Sequence, residues 1–206
     1  MLDQKGFDLW ADGYDKTVDL SDEENSYPFA GYKEILARIY QIVLAKGKAA
    51  VLDIGFGTGT LTTKLYEQGC EIWGQDFSNR MIELAGVKMP NAHLFQGDFS
   101  QGLVEPVLGN SYDFIIATYS LHHLTDDAKI CLIQSMMNLL KEDGVILIGD
   151  VAFSDREALE SCRKEAGREW DDEEIYFVFD ELQKEFPNNI KFEQISYCAG
   201  LLSLSR

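Results

Sequence analysis

The apolar run Val51-Leu-Asp-Ile54 passes directly into Gly55-Phe-Gly-Thr-Gly-Thr60, and this junction limits the possible folds more than any other stretch of the chain. Glycines at alternate positions let a backbone turn through conformations closed to other residues and lie against a ligand with no side chain in between. A buried strand that ends in such a turn and is followed by helical periodicity opens a βαβ unit, and ligands of open parallel sheets collect beyond the carboxyl ends of the strands. The tips after Ile54, Gln75, Gln96, Tyr119 and Ile148 are therefore expected to converge on one crevice.

The pattern downstream repeats the unit. Ala49 to Ile54, Glu71 to Gln75, Ala92 to Gln96, Tyr112 to Tyr119 and Gly144 to Gly149 read as strands, the fourth a continuous apolar run suited to burial on both faces. Between them, Thr60 to Gln68, Asn79 to Ala85 behind the N-cap Ser78, and Asp126 to Leu140 carry helical spacing. After Asp150, Ser154 to Arg168 and Asp171 to Phe186 read as helices, and Ile190 to Ser196 with Ala199 to Leu204 as an antiparallel pair of strands. An amphipathic helix around Tyr32 to Leu44 belongs to an N-terminal cap. The expected organisation is one α/β domain over residues 1–206, with a helical cap over 1–45 and a core over 46–206.

Composition narrows the partners. Hydrophobic residues at 46% and charged residues at 26% suit a soluble globular chain, while a net charge of −17 repels nucleic-acid phosphates and anionic membranes. No apolar stretch is long enough to span a bilayer, and Met1-Leu-Asp-Gln-Lys-Gly6 lacks the layout of a secretory leader, so a cytoplasmic location is expected. Cys70, Cys131, Cys162 and Cys198 form no C-x-x-C pair and have no histidine at zinc spacing, so they read as small buried hydrophobes and no metal site is expected.

The cofactor follows from charge. A dinucleotide loop would carry a third glycine where Thr60 stands, and Asp53 would repel a pyrophosphate. Opposite a cation the same carboxylate is favourable, and S-adenosylmethionine (AdoMet) offers an α-ammonium, a sulfonium and ribose hydroxyls with no phosphate. The loop resembles motif I of the class I AdoMet-dependent methyltransferases, and four further elements resemble that family in order: Gln75-Asp-Phe-Ser-Asn-Arg-Met81, Gly97-Asp-Phe99, Ala117-Thr-Tyr-Ser-Leu-His-His-Leu124 and Leu140-Lys-Glu-Asp-Gly-Val-Ile-Leu147. The opening Phe7-Asp-Leu-Trp-Ala-Asp-Gly-Tyr-Asp15 is similar to small-molecule methyltransferases related to the quinone-biosynthesis group. The run Thr118 to Asp127 is similar to that of small uncharacterised bacterial methyltransferases.

That resemblance implies a Rossmann-like fold: a mostly parallel seven-stranded sheet with an antiparallel C-terminal strand, helices on both faces and an N-terminal helical cap. It implies that Gly55, Phe56, Gly57 and Gly59 wrap the methionine part of AdoMet and that Asp53 orients its amino group. Asp76 would accept hydrogen bonds from the ribose hydroxyls, Phe77 and Met81 would lie against adenine, and Gly97, Asp98 and Phe99 would meet the rest of the base. Thr118, Tyr119 and Leu121 would line the methyl-transfer centre, and Tyr14 would close over the cofactor.

Three residues are candidates for catalysis. His122 is either a general base or, with His123, a loop-orienting group, while Asp150 at the end of the fifth strand is a second proton acceptor and Tyr14 a pocket residue. The acidic run Asp171-Asp-Glu-Glu174 reads as a solvated face or lid. The expected protein is a methyltransferase for a small-molecule acceptor, acting as a monomer or homodimer and forming S-adenosylhomocysteine (SAH). A non-catalytic AdoMet- or SAH-binding protein and a NAD-dependent oxidoreductase are the alternatives.

Overall fold

A computed structural model describes residues 26–206. The chain enters through helix α1 (Tyr32–Ala45), then alternates β1 (Ala50–Ile54), α2 (Thr60–Glu67), β2 (Glu71–Asp76), α3 (Asn79–Lys88) and β3 (His93–Gln96). A short α4 (Glu105–Leu108) leads to β4 (Tyr112–Thr118), α5 (Asp126–Asn138) and the long β5 (Leu140–Phe153). The remainder comprises α6 (Arg156–Ala166), β6 (Phe177–Val178), α7 (Phe179–Glu185), β7 (Ile190–Gln194) and β8 (Ala199–Ser205).

The sheet runs β3-β2-β1-β4-β5-β8-β7, with β6 paired to the end of β5. Strands β1 to β5 are mutually parallel, whereas β8 lies antiparallel to both β5 and β7. This is the Rossmann-like class I arrangement, a mostly parallel sheet in which, among the described residues, the C-terminal strand β8 alone runs antiparallel, between β5 and β7. The order reverses at β1, where β2 departs to one side and β4 lies on the other, so β1 and β4 part at their carboxyl ends over a crevice.

Period-two alternation builds a core on each face of the sheet. Phe114, Ile116, Leu147 and Val151 point to one side, where α1, α2, α3 and α6 bring Ile35, Leu65, Ala85 and Leu159. Ile115, Ala117, Ile146 and Ile148 point to the other, against Leu132, Ile133 and Met136 of α5 and Leu182 of α7. Helix α1 lies on the sheet so closely that a side chain on Gly149 would meet Ile35 Cγ2 at 2.2 Å. Only the chain at and ahead of its first turn reaches the crevice. Among the described residues, no helix is long and apolar enough to cross a membrane.

One expected helix is absent in its first half. Residues 171–176 are not helical, and α7 begins only at Phe179. Tertiary hydrogen bonds hold the segment extended: Ile175 N–H donates to the His122 carbonyl at 2.8 Å, the buried Lys129 ammonium donates to the Ile175 carbonyl, and Phe177 and Val178 pair with Ala152 and Phe153. The run Ile175-Tyr-Phe-Val-Phe179 has the β-branched and aromatic character that accepts this pairing.

Candidate active site

The glycine loop is shaped by three left-handed residues, with φ of 71° at Gly55, 56° at Gly57 and 77° at Gly59. Each serves a different purpose. A Cβ on Gly55 would collide with Ser120, and one on Gly59 would press on Met89 and Ala85 of the neighbouring helix, but one on Gly57 would meet nothing within 4 Å. Gly59 thus lets α2 pack against α3, and Gly57 leaves its backbone bare toward the crevice.

Two carboxylates frame that loop. Asp76 Oδ2 accepts the Gly57 N–H at 2.8 Å and Oδ1 accepts the Ser78 N–H at 2.9 Å, so the end of β2 is tied to the turn beside it. Asp53 is almost wholly buried; one oxygen accepts the Thr62 hydroxyl, and Oδ1 has no hydrogen-bond partner among the described residues. Burial pushes its acid up to about 7, against the lowering effect of Thr62 and with a further rise from the Asp76 charge. A buried carboxylate with an unsatisfied oxygen fits a cationic ligand group.

The crevice is a cavity of about 660 Å³, within the range of small-ligand sites. Asp53, Gly55, Phe56, Gly57, Asp76, Phe77 and Met81 line its inner part, followed by Asp98 and Phe99. Asp98 also caps the short turn after β3 by accepting the Ser100 N–H at 2.9 Å. Thr118, Tyr119 and His122 line the tip of β4. Four expected residues are not among the lining groups. Gly59 faces α3, and Gly97 backs onto Gln75 and Val104, where a Cβ would fall 2.5 Å from Val104 Cγ1. Leu121 is turned into the core, and Asp150 is fully buried behind His122 rather than facing the crevice. Tyr14 lies outside the described residues.

The tip of β4 is rigidly built. Tyr119 is the one non-glycine residue with positive φ among the described residues, at 49°. Its ring stands 5.1 Å from Tyr32 and 5.3 Å from Phe29, which makes an aromatic wall from the chain ahead of and entering α1. Asp150 accepts the Leu121 N–H at 3.2 Å, the Val151 N–H at 2.8 Å and the His122 Nδ1–H at 2.7 Å. A carboxylate fixing Nδ1 as donor directs Nε2 outward, toward Glu174 Oε1 at 3.5 Å. Burial would lower the His122 pKa, but the Asp150 charge and hydrogen bond, joined by Glu174, raise it on balance; burial and His122 instead press His123 down to about 4.

The far wall comes from the N-terminal cap and from the acidic run read as a solvated face or lid, two segments distant in the chain. Phe29 and Tyr32 close one side, and Asp171, Glu173 and Glu174 close another. Glu174 completes a group that no local motif could reveal: its carboxylate and ring nitrogens of His122 and His123 all lie within 4.8 Å of one another. The aromatic and acidic residues around Trp170 to Tyr176 were the available signal. Tyr27 stacks on Trp170 at 5.2 Å and bonds to Tyr176 through their hydroxyls, which pins the segment in place.

Residues 51–144 match the methyltransferase-domain family. Over 191 aligned residues the chain is 38% identical to an uncharacterized methyltransferase of Geobacillus sp. (strain WCH70), covering 89% of this chain and 86% of that one. It is 30% identical to the uncharacterized methyltransferase YrrT of Halobacillus halophilus, covering 97% and 95% respectively. Among solved structures, the DhpI-SAM-HEP complex superposes with a TM-score of 0.70 at 19% identity, over 97% of this chain and 94% of that chain. Magnesium protoporphyrin IX methyltransferase from Synechocystis PCC 6803 with bound SAH gives 0.67 at 18% identity, over 86% and 85%.

Proposed function

Since this chain belongs to the class I AdoMet-dependent methyltransferases, we propose that it methylates a small molecule held between the tip of β4 and the wall formed by Phe29, Tyr32 and residues 171–174. One observation carries the donor side of this function, the buried Asp53 oxygen that no described residue satisfies. The α-ammonium of AdoMet supplies the cation that such an oxygen requires. The bare backbone at Gly57 leaves room for the methionine part, and the Asp76 carboxylate on the same cavity is an acceptor suited to the ribose hydroxyls. Phe77 and Met81 offer apolar surface to adenine, with Asp98 and Phe99 at its edge.

The cofactor supplies an electrophilic methyl carbon on a sulfonium. The residues of the chain then hold the acceptor atom in line and exclude water. Thr118 and the strained Tyr119 set the position of the acceptor relative to the donor, and the aromatic wall limits its shape. His122 offers Nε2 to an acceptor that must lose a proton, while Asp150 acts as a positioning residue through Nδ1. A net charge of −17 disfavours phosphate-rich macromolecular acceptors.

The test is incubation with methyl-labelled AdoMet and a metabolite extract, alongside a basic protein mixture. Label recovered in small molecules supports the proposal. Label confined to protein sinks it, and tight AdoMet binding with no transfer to either pool identifies a binding protein.

A further inference from the structure

We propose that His122, His123 and Glu174 bind a divalent first-row transition metal, with zinc as the reference ion, at the acceptor end of the cavity. Two imidazoles and one carboxylate are a donor set suited to such ions, and three protein ligands leave a coordination position open. The distances are those of a site about to close. His122 Nε2 and Glu174 Oε1 stand 3.5 Å apart, long for a hydrogen bond. It is near the edge of roughly 3.3 Å that a tetrahedron of ligands about 2.0–2.1 Å from zinc requires. All three ligand atoms lie within 4.8 Å of one another, so no pair has to draw in by more than about 1.5 Å to reach that edge.

The groups behind the ligands are placed as metal sites need them. His122 Nδ1 donates to Asp150 at 2.7 Å, and Asp150 is itself anchored by the backbone N–H groups of Leu121 and Val151. Glu174 Oε2 accepts the Tyr176 hydroxyl at 2.7 Å, which leaves Oε1 for the ion. Two of the three ligands are thus oriented through their far atoms, the arrangement by which metal sites fix tautomer and direction. Asp171 and Glu173 on the same wall add negative charge that favours a cation. With Nε2 on the ion, His122 serves as a ligand and not as the base; the metal would instead hold an oxygen or nitrogen of the acceptor and lower its proton affinity, which selects acceptors that carry a metal-binding heteroatom. That role rests on the acceptor reading above, whereas binding of the ion does not.

The full chain, stripped with a chelator and dialysed, is titrated with Zn²⁺ against a chromophoric zinc indicator. Calorimetric AdoMet binding and far-ultraviolet circular dichroism are recorded on the same samples. One zinc per chain is expected, with affinity falling by at least about 100-fold in His123→Ala and in Glu174→Gln, and by about 10–100-fold in Asp150→Asn. Cobalt in place of zinc provides a readout on the unsubstituted chain: strong visible bands of four- or five-coordinate cobalt are expected, and only the weak spectrum of the hydrated ion overturns the site. No zinc bound at micromolar concentration, or binding unchanged in folded His123→Ala and Glu174→Gln, also overturns it. Failure of the unsubstituted chain to bind AdoMet would instead count against the donor site, and the zinc titration would stand by itself.

Discussion

A side-chain carbon on Gly55 would stand 2.5 Å from the Cβ of Ser120, whose hydroxyl donates to the Ile54 carbonyl at 2.9 Å and draws the tip of β4 over the end of β1. Gly55→Ala combines this collision with a φ of 71°, so it should cost about 2–3 kcal/mol of stability in chemical denaturation. Gly57→Ala meets no neighbour and should cost only about 1–2 kcal/mol for its left-handed backbone. Its methyl group nevertheless projects into the space assigned to the donor, so calorimetry should show AdoMet binding at least about tenfold weaker. Undiminished AdoMet affinity in this variant would mean that Gly57 does not face the donor.

The acid of Asp53, held up to about 7 by burial, makes AdoMet binding depend on pH. The native chain keeps a proton on Asp53 that the unfolded chain has lost, so stability declines as pH rises from about 4 to about 7 and is level above that. A ligand ammonium favours the ionised form, and below pH 7 binding must expel the proton. Affinity should therefore rise as pH approaches about 7, then fall above about 8 as the ligand α-amine deprotonates. In Asp53→Asn the rising limb should vanish while the falling limb stays, as followed by calorimetry in buffers of different ionisation enthalpy.

Asp76 accepts the Gly57 and Ser78 N–H groups and lines the cavity where the ribose diol of the donor is proposed to lie. Replacement by Asn removes the charge and turns one acceptor into a donor. Since hydrogen bonds to an ionised group contribute about 1.5–3 kcal/mol, Asp76→Asn should weaken AdoMet by about 10–100-fold with the fold kept. Equal affinity would remove Asp76 from the site.

Far from the cavity, Asp113 joins Lys46 and Lys141, each at 2.8 Å, to the Ala50 N–H at 2.9 Å. Burial alone would raise its acid, but the two ammonium groups and the backbone donor outweigh it and hold the carboxyl at about 2. Here the native state binds its proton less tightly than the unfolded chain. The contribution is complete above about pH 4 and disappears as pH falls through about 2. Asp113→Asn should thus lower the denaturation midpoint at pH 7 and leave it close to the parent near pH 2; an equal loss at both would assign the effect to packing.

The strands, the glycine turn and the acid at the end of β2 were legible because each is written in contiguous residues. Val51 to Thr60 states a strand, a turn and a helix start in sequence, and Ser78 states its cap, which the structure realises as a bond from the Met81 N–H to Ser78 Oγ. Residues 171–176 were misread because Ile175, Phe179 and Leu182 also fit a helical period. The pairing of Phe177 with Ala152 that decides the matter is a contact between distant segments. For the same reason Asp150 looked like a crevice residue from its place at a strand end, whereas alternation along β5 and the His122 ring turn it inward. Glu174 could not be joined to the two histidines without the fold.

The extended strip from Asp171 to Tyr176 has its ends fixed independently of its middle, by Trp170 stacked on Tyr27 at one side and Phe177 paired with Ala152 at the other. Such a strip behaves as an exchangeable cassette. On the donor and acceptor sites proposed above, its inner residues can vary, in evolution or in a library, without disturbing Asp53, Gly57 or Asp76, so a lineage could change what it methylates while inheriting its donor site intact.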